Sequence, residues 1–123
     1  MIKNKMLTGI HKSAIAFFMN NVESVCDKLP ISYDDLLSQI NSATISIENT
    51  PYYCIIKFYH NGYSSDIYDK TIEIQVVQSS RAPVVFHMYL KSNMIYEFEY
   101  FTADLREICD KELFAGNVFI KVY

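Results

Sequence analysis

Glu97 and Glu99 stand two residues apart in IYEFEYF (95–101), between Tyr96, Phe98 and Tyr100. Side chains two apart on a strand point the same way, so this segment sets two carboxylates on one face and Phe98 and Tyr100 on the other. Such a pair faces water, a catalytic partner or a basic surface on another molecule. His87, in VVFHMYL (84–90), falls on a neighbouring predicted strand. Placed beside Glu97 or Glu99, it makes a His–carboxylate pair of the kind used in general acid–base chemistry. Histidine next to glutamate on a wet sheet is ordinary, so this arrangement ranks below recognition of a basic partner.

Other chemistry finds little support. His11, His60 and His87 fall on different predicted elements, and no HxxxH, HExxH or CxxC spacing occurs, so no metal site is expected. Gly9, Gly62 and Gly116 stand alone, which is too little glycine for a phosphate loop, and no local Ser–His or Cys–His arrangement suggests a nucleophile. No cofactor is expected.

The elements that must position the carboxylates follow from periodicity. Ile10, Ala14, Phe17, Phe18, Val22, Val25, Cys26 and Leu29 recur at helical spacing and predict a helix over about 8–29, ended by Pro30. SYDDLLSQI (32–40) starts a second helix, with Ser32 as N-cap and Asp35 three residues on. From Ile45 the period becomes two. YYCIIKFY (52–59), TIEIQVV (71–77), VVFHMYL (84–90) and IYEFEYF (95–101) read as strands, the last two joined in a hairpin. Asn61-Gly62 signals a turn, and 61–70 reads as a long loop. TADLREICDKEL (102–113) returns to helical spacing through Leu105, Ile108, Cys109 and Leu113, with Gly116 as its stop, and NVFIKVY (117–123) is a last strand. The fold class is therefore α+β: an antiparallel sheet of four to six strands, with N-terminal helices and one C-terminal helix packed mainly on one face.

Alternation then divides the sheet. Ile72, Ile74, Val76, Val84, Phe86, Met88, Leu90, Phe98 and Tyr100 turn towards the helices. Tyr53, Lys57, Tyr59, Glu73, Gln75, His87, Tyr89, Lys91, Glu97, Glu99, Phe119, Lys121 and Tyr123 turn away, an aromatic surface interleaved with charge. Acid is concentrated late in the chain. Glu97, Glu99, Asp104, Glu107, Asp110 and Glu112 outnumber Arg106 and Lys111 in 97–112, and Asp66 and Asp69 add to them from the long loop. An acidic patch of this kind steers basic partners.

Composition bounds the rest. A chain of 123 residues with 50% hydrophobic and 20% charged content makes one domain, 1–123, with one core. Its net charge of −3 and scattered Lys and Arg argue against nucleic acid as the partner. The apolar run AIAFFM (14–19) is too short for a membrane span, and the residues after it make a poor signal cleavage site. Cys26, Cys54 and Cys109, odd in number and widely spaced, fit reduced thiols and a cytoplasmic protein.

In size and character, with YEFEY (96–100), DLREICDKE (104–112) and SSDIYD (64–69) as the residues behind the comparison, the chain resembles the small immunity proteins of bacterial contact-dependent growth inhibition and related polymorphic toxin systems. The resemblance implies a cytoplasmic inhibitor that covers the basic active site of a cognate toxin domain, often a nuclease. The partner-binding residues then expected are Glu97, Glu99, Asp104, Glu107, Asp66, Asp69, Tyr59 and Tyr89. A small acidic secretion chaperone is the alternative, although such chaperones usually end in a helix and this chain ends in NVFIKVY. A small ligand-binding or enzymatic α+β domain ranks third, because the inward positions are almost wholly apolar.

Overall fold

The apolar stripe of the first helix and the inward faces of the strands meet in one core. A computed structural model describes residues 2–123. Helix α1 (Gly9–Val22) buries Ala14, Ile15, Phe18, Met19 and Val22, and α2 (Tyr33–Ser42) buries Leu36 and Ile40. Six strands follow: β1 (Thr44–Asn49), β2 (Tyr53–Tyr59), β3 (Lys70–Val77), β4 (Val84–Lys91), β5 (Met94–Thr102) and β6 (Asn117–Val122). They form one antiparallel sheet in the order β1-β2-β5-β4-β3-β6. Every residue assigned to the inward face above is buried. The Phe18 and Phe98 rings meet edge to face, with centroids 5.3 Å apart, which fixes α1 on that face.

Several local signals are realised. The Ser32 hydroxyl accepts from the Asp35 N–H at 3.1 Å and caps α2. Asn61 and Gly62 have φ of +53° and +82°, and His60 and Tyr63 exchange backbone hydrogen bonds across them, as a two-residue hairpin turn requires. Ser92 and Asn93 turn the β4–β5 hairpin in the same way. A further strand at Thr44–Asn49, ahead of the strands expected from residue 52 onward, adds β1 at the sheet edge.

The first helix stops earlier than Pro30. The Asn21 amide donates to the Phe17 carbonyl at 2.9 Å and the Ser24 hydroxyl to the Asn21 carbonyl at 2.8 Å. Polar side chains that compete for helical carbonyls loosen the ladder, and the chain tightens into a 3₁₀ turn over Glu23–Lys28.

The helix expected over 102–113 does not form. Thr102 is the last residue of β5, Leu105 is exposed with φ of +56°, and only Asp110–Glu112 makes a short 3₁₀ turn. The segment is instead a strap tied by Arg106. That guanidinium donates to the Ala82 carbonyl at 3.0 Å, to Asp104 at 2.7 Å, to Gln78 at 3.3 Å and to the buried Glu112 at 3.0 Å. On an α-helix, residues six apart are turned about 120° from one another and about 9 Å apart along the axis, outside the i+3 and i+4 positions that meet, so the Arg106–Glu112 pair is not one that a helix over this segment would form. Gly116 serves the strand that follows rather than a helix end. A Cβ built there would fall 2.5 Å from the Val77 carbonyl oxygen, so only glycine permits the approach.

The three thiols are free: Cys54 is buried, Cys26 half-buried and Cys109 exposed. Burial pushes the Cys54 thiol up to about 11, with a hydrogen bond to Tyr100 working against it, and burial with Glu23 and Asp27 raises Cys26. Since the thiolate is the reactive form, the folded protein should show one promptly reactive thiol, Cys109, and the unfolded, unreduced protein three. Disulfide-exchange titration counts both, and a count below three after unfolding would indicate a disulfide. Among the described residues, no helix is long and apolar enough to cross a membrane.

Candidate functional site

The helices cover one face of the sheet, and strand register arranges the other in rows. Tyr53, Phe101, Val85, Gln75 and Phe119 form one row across β2, β5, β4, β3 and β6. The next is Ile55, Glu99, His87, Glu73 and Lys121, and beyond it come Lys57, Glu97, Tyr89 and Thr71. An aromatic and apolar band thus borders a band of alternating charge. A register shift at Tyr89/Leu90 pairs Ile95 with Leu90 and leaves Tyr96 as the extra residue. Strict alternation would have put Ile95 beside Glu97, and the bulge returns it to the core.

His87 lies at the centre of the charged band. Its Nε2 is 2.8 Å from Glu73 Oε1 and its Nδ1 is 3.1 Å from Glu99 Oε1, so the imidazolium donates to a carboxylate on each neighbouring strand. The Tyr89 hydroxyl also donates to Glu99 Oε1, while Gln75 and Tyr123 donate to Glu73 Oε2 at 3.1 and 3.2 Å. Burial opposes the charge on His87, but the hydrogen bonds and charges of Glu99 and Glu73 outweigh it and hold its pKa above the ordinary imidazole value. Burial likewise works against the charge on both glutamates. The hydrogen bond to His87, first among the opposing causes, takes both below the usual carboxylate range.

Glu97 differs. It accepts from the Tyr68 hydroxyl at 3.2 Å and, among the described residues, has no cation in contact. Burial and then the charge of Glu99 raise its pKa, against Tyr68 and Lys57. Tyr68 reaches it because the loop after β2 folds back over the open face. Its ring stacks on Tyr89, with centroids 4.8 Å apart and planes at 23°, and Asp66 pairs with Lys57 at 2.6 Å.

Glu97, Glu99, Tyr89 and Asp66 therefore share one surface. Asp69 lies at its margin, accepting the Ser92 N–H at 3.0 Å and bracing the β4–β5 turn, and Tyr59 closes β2 with its hydroxyl 3.4 Å from Ser46 Oγ. Asp104 and Glu107 are not close behind the pair. Both lie on the strap beyond the far end of β5, where Asp104 is held by Arg106. The third member of the network, Glu73, belonged to the outward set, but its pairing with His87 depends on a β3–β4 register that alternation does not specify. Tyr68 gave no signal, because a polar loop does not announce which way it folds.

Comparisons with family models, with curated proteins and with solved structures find no match.

General base action needs a ring nitrogen free to take a substrate proton, and His87 commits both of its nitrogens to carboxylates. A cavity of about 360 Å³ between Ile10, Pro51, Tyr100 and Ile108 is lined by none of these residues. Among the described residues, no group of three or more His, Cys, Asp or Glu is placed to hold a metal ion. The arrangement is suited to presenting charge and aromatic surface.

Proposed function

We propose that the protein is a binding inhibitor of the immunity type, acting in the cytoplasm, which neutralises a cognate toxin domain by laying its open sheet face over the toxin's basic active site. The observation that carries this reading is Glu97: a half-buried carboxylate with no ion pair among the described residues, on a helix-free face, beside Glu99 and next to aromatic side chains. A half-buried carboxylate without a counter-ion is a cost to the isolated fold, and a lysine or arginine from a partner removes it. The aromatic row through Tyr53, Phe101 and Phe119 supplies apolar contact area around such a pair. The resemblance to small immunity proteins points the same way.

The test is titration calorimetry, at two salt concentrations, against the toxin domain encoded by the adjacent gene. Changing Glu97 and Glu99 together to Gln should weaken the complex by about 2–5 kcal/mol if the pairs become buried, with the domain still folded. At the rim of an interface the double variant would chiefly slow association and reduce its salt dependence. Unchanged affinity would return the two glutamates to a solvated strand face.

A further inference from the structure

Tyr89, His87 and Glu99 meet in a triangle that holds fewer proton positions than it has polar atoms. The Tyr89 hydroxyl is 3.0 Å from His87 Nδ1 and also within hydrogen-bond reach of Glu99 Oε1, which is itself 3.1 Å from the same Nδ1. While His87 is an imidazolium, Nδ1–H and the hydroxyl both donate to Glu99. A neutral imidazole keeps one proton, and the surroundings decide which. Nε2 faces Glu73 at 2.8 Å, and the hydroxyl and amide near that carboxylate, Tyr123 and Gln75, are spent on its other oxygen. A bare Nε2 would meet a carboxylate with no donor at hand. A bare Nδ1 has one, because the Tyr89 hydroxyl needs only to rotate.

We propose that His87 is a proton-operated latch: when Nδ1 gives up its proton to solvent, the Tyr89 hydroxyl swings from Glu99 to Nδ1, and Glu99 is left as an open acceptor on the sheet face.

The surrounding charges sharpen this exchange. Facing His87 are Glu73 on β3, Glu99 and Glu97 on β5, and Tyr89 on β4 itself. Farther out are Lys121 and Tyr123 at the β6 edge, Lys57 on β2, and Tyr68 and Asp66 from the loop. Both lysines are engaged elsewhere, Lys57 on Asp66 at 2.6 Å and Lys121 over the Tyr123 ring at 4.7 Å. Neither replaces the lost proton, so the charged band becomes more negative by one. The sign of the stability change follows from the shifts. The clasp contributes fully below the ordinary imidazole pKa and is lost as pH rises through the raised value of His87. It is also lost at the acid end, as pH falls through the lowered values of Glu73 and Glu99. The latch is a property of this chain alone and requires no partner.

Long-range ¹H–¹⁵N spectra of the histidine rings, recorded on the full chain over about pH 5–9, test it. His87 should titrate above the ordinary value, and its neutral form should carry the proton on Nε2. Tyr89→Phe removes the hydroxyl that donates to the bare Nδ1 of the neutral ring, so the His87 midpoint should move upward by about 0.5 or more. Glu99→Gln should move it downward, and Tyr68→Phe, which changes a neighbour outside the triangle, should leave it in place. A neutral form protonated on Nδ1 would overturn the proposal, and that readout needs no variant. A midpoint unmoved by Tyr89→Phe, in a variant whose amide spectrum shows it folded, would overturn it equally.

Discussion

Phe98→Ala is expected to lower the unfolding free energy by about 3–5 kcal/mol, the range for deleting a fully buried phenylalanine. Phe98 is inaccessible to solvent and sits where three layers of contact converge: Phe18 from α1 at 5.3 Å, Phe86 from β4 at 6.2 Å and Tyr100 along its own strand at 6.1 Å. The helix above and the sheet around it cannot both relax into the space a benzyl group leaves. Urea denaturation measures the loss as a fall in the midpoint with little change in slope. A loss below about 1 kcal/mol would mean that the helix-facing side of the sheet has been misassigned. Phe17 offers an internal comparison. It is only half-buried, against Phe86 and Phe114, and its truncation should cost clearly less.

Arg106→Ala is expected to cost about 2–3 kcal/mol, somewhat under the range for breaking a fully buried ion pair, because the arginine side chain is 21% exposed. The larger part of that cost falls on the partner left behind. Glu112, whose side chain is 10% exposed, would keep only Arg81 at 3.3 Å and the Cys109 N–H at 3.4 Å. The pH dependence carries a second signature. Burial works against the Glu112 charge, but its hydrogen bond to Arg106 takes its pKa below the ordinary value. The pair therefore contributes above the unfolded carboxylate pKa and is lost as pH falls through the folded one. The variant should accordingly lose less stability on acidification than the parent. Urea midpoints at neutral and acidic pH measure both effects. Equal acid sensitivity in the two proteins would deny the pair its role in holding the strap.

Which features were legible in the sequence depends on the range of the interactions that set them. The alternation of VVFHMYL and TIEIQVV, the Asn61-Gly62 turn and the Ser32 cap are decided within a few residues, and each appears where the sequence puts it. The strap shows the opposite case. Leu105, Ile108, Cys109 and Leu113 carry helical spacing, yet Arg106 reaches Ala82 and Gln78 in a different part of the chain, and those long-range bonds outweigh a weak local preference. At the candidate site, the shared face of Glu97 and Glu99 follows from spacing alone. That Glu99 is held by His87 and Tyr89 while Glu97 is not depends on which strands are neighbours, and the Tyr89/Leu90 bulge sets that register locally.

The strand order also divides the sheet by the length of chain each pairing must close. β3, β4 and β5 form a meander joined by short connections, whereas β2 meets β5 through pairs such as Lys57 with Glu97 and Tyr53 with Phe101. The entropy of closing a loop grows with its length, so each pairing within the meander costs less closure entropy than the pairing of β2 with β5. Glu73, His87 and Glu99 all lie on the meander, and Lys57 lies on the ribbon. The histidine clasp thus lies within strands joined by short connections, and the anchor for the covering loop lies on the ribbon that meets them through the longer closure between β2 and β5.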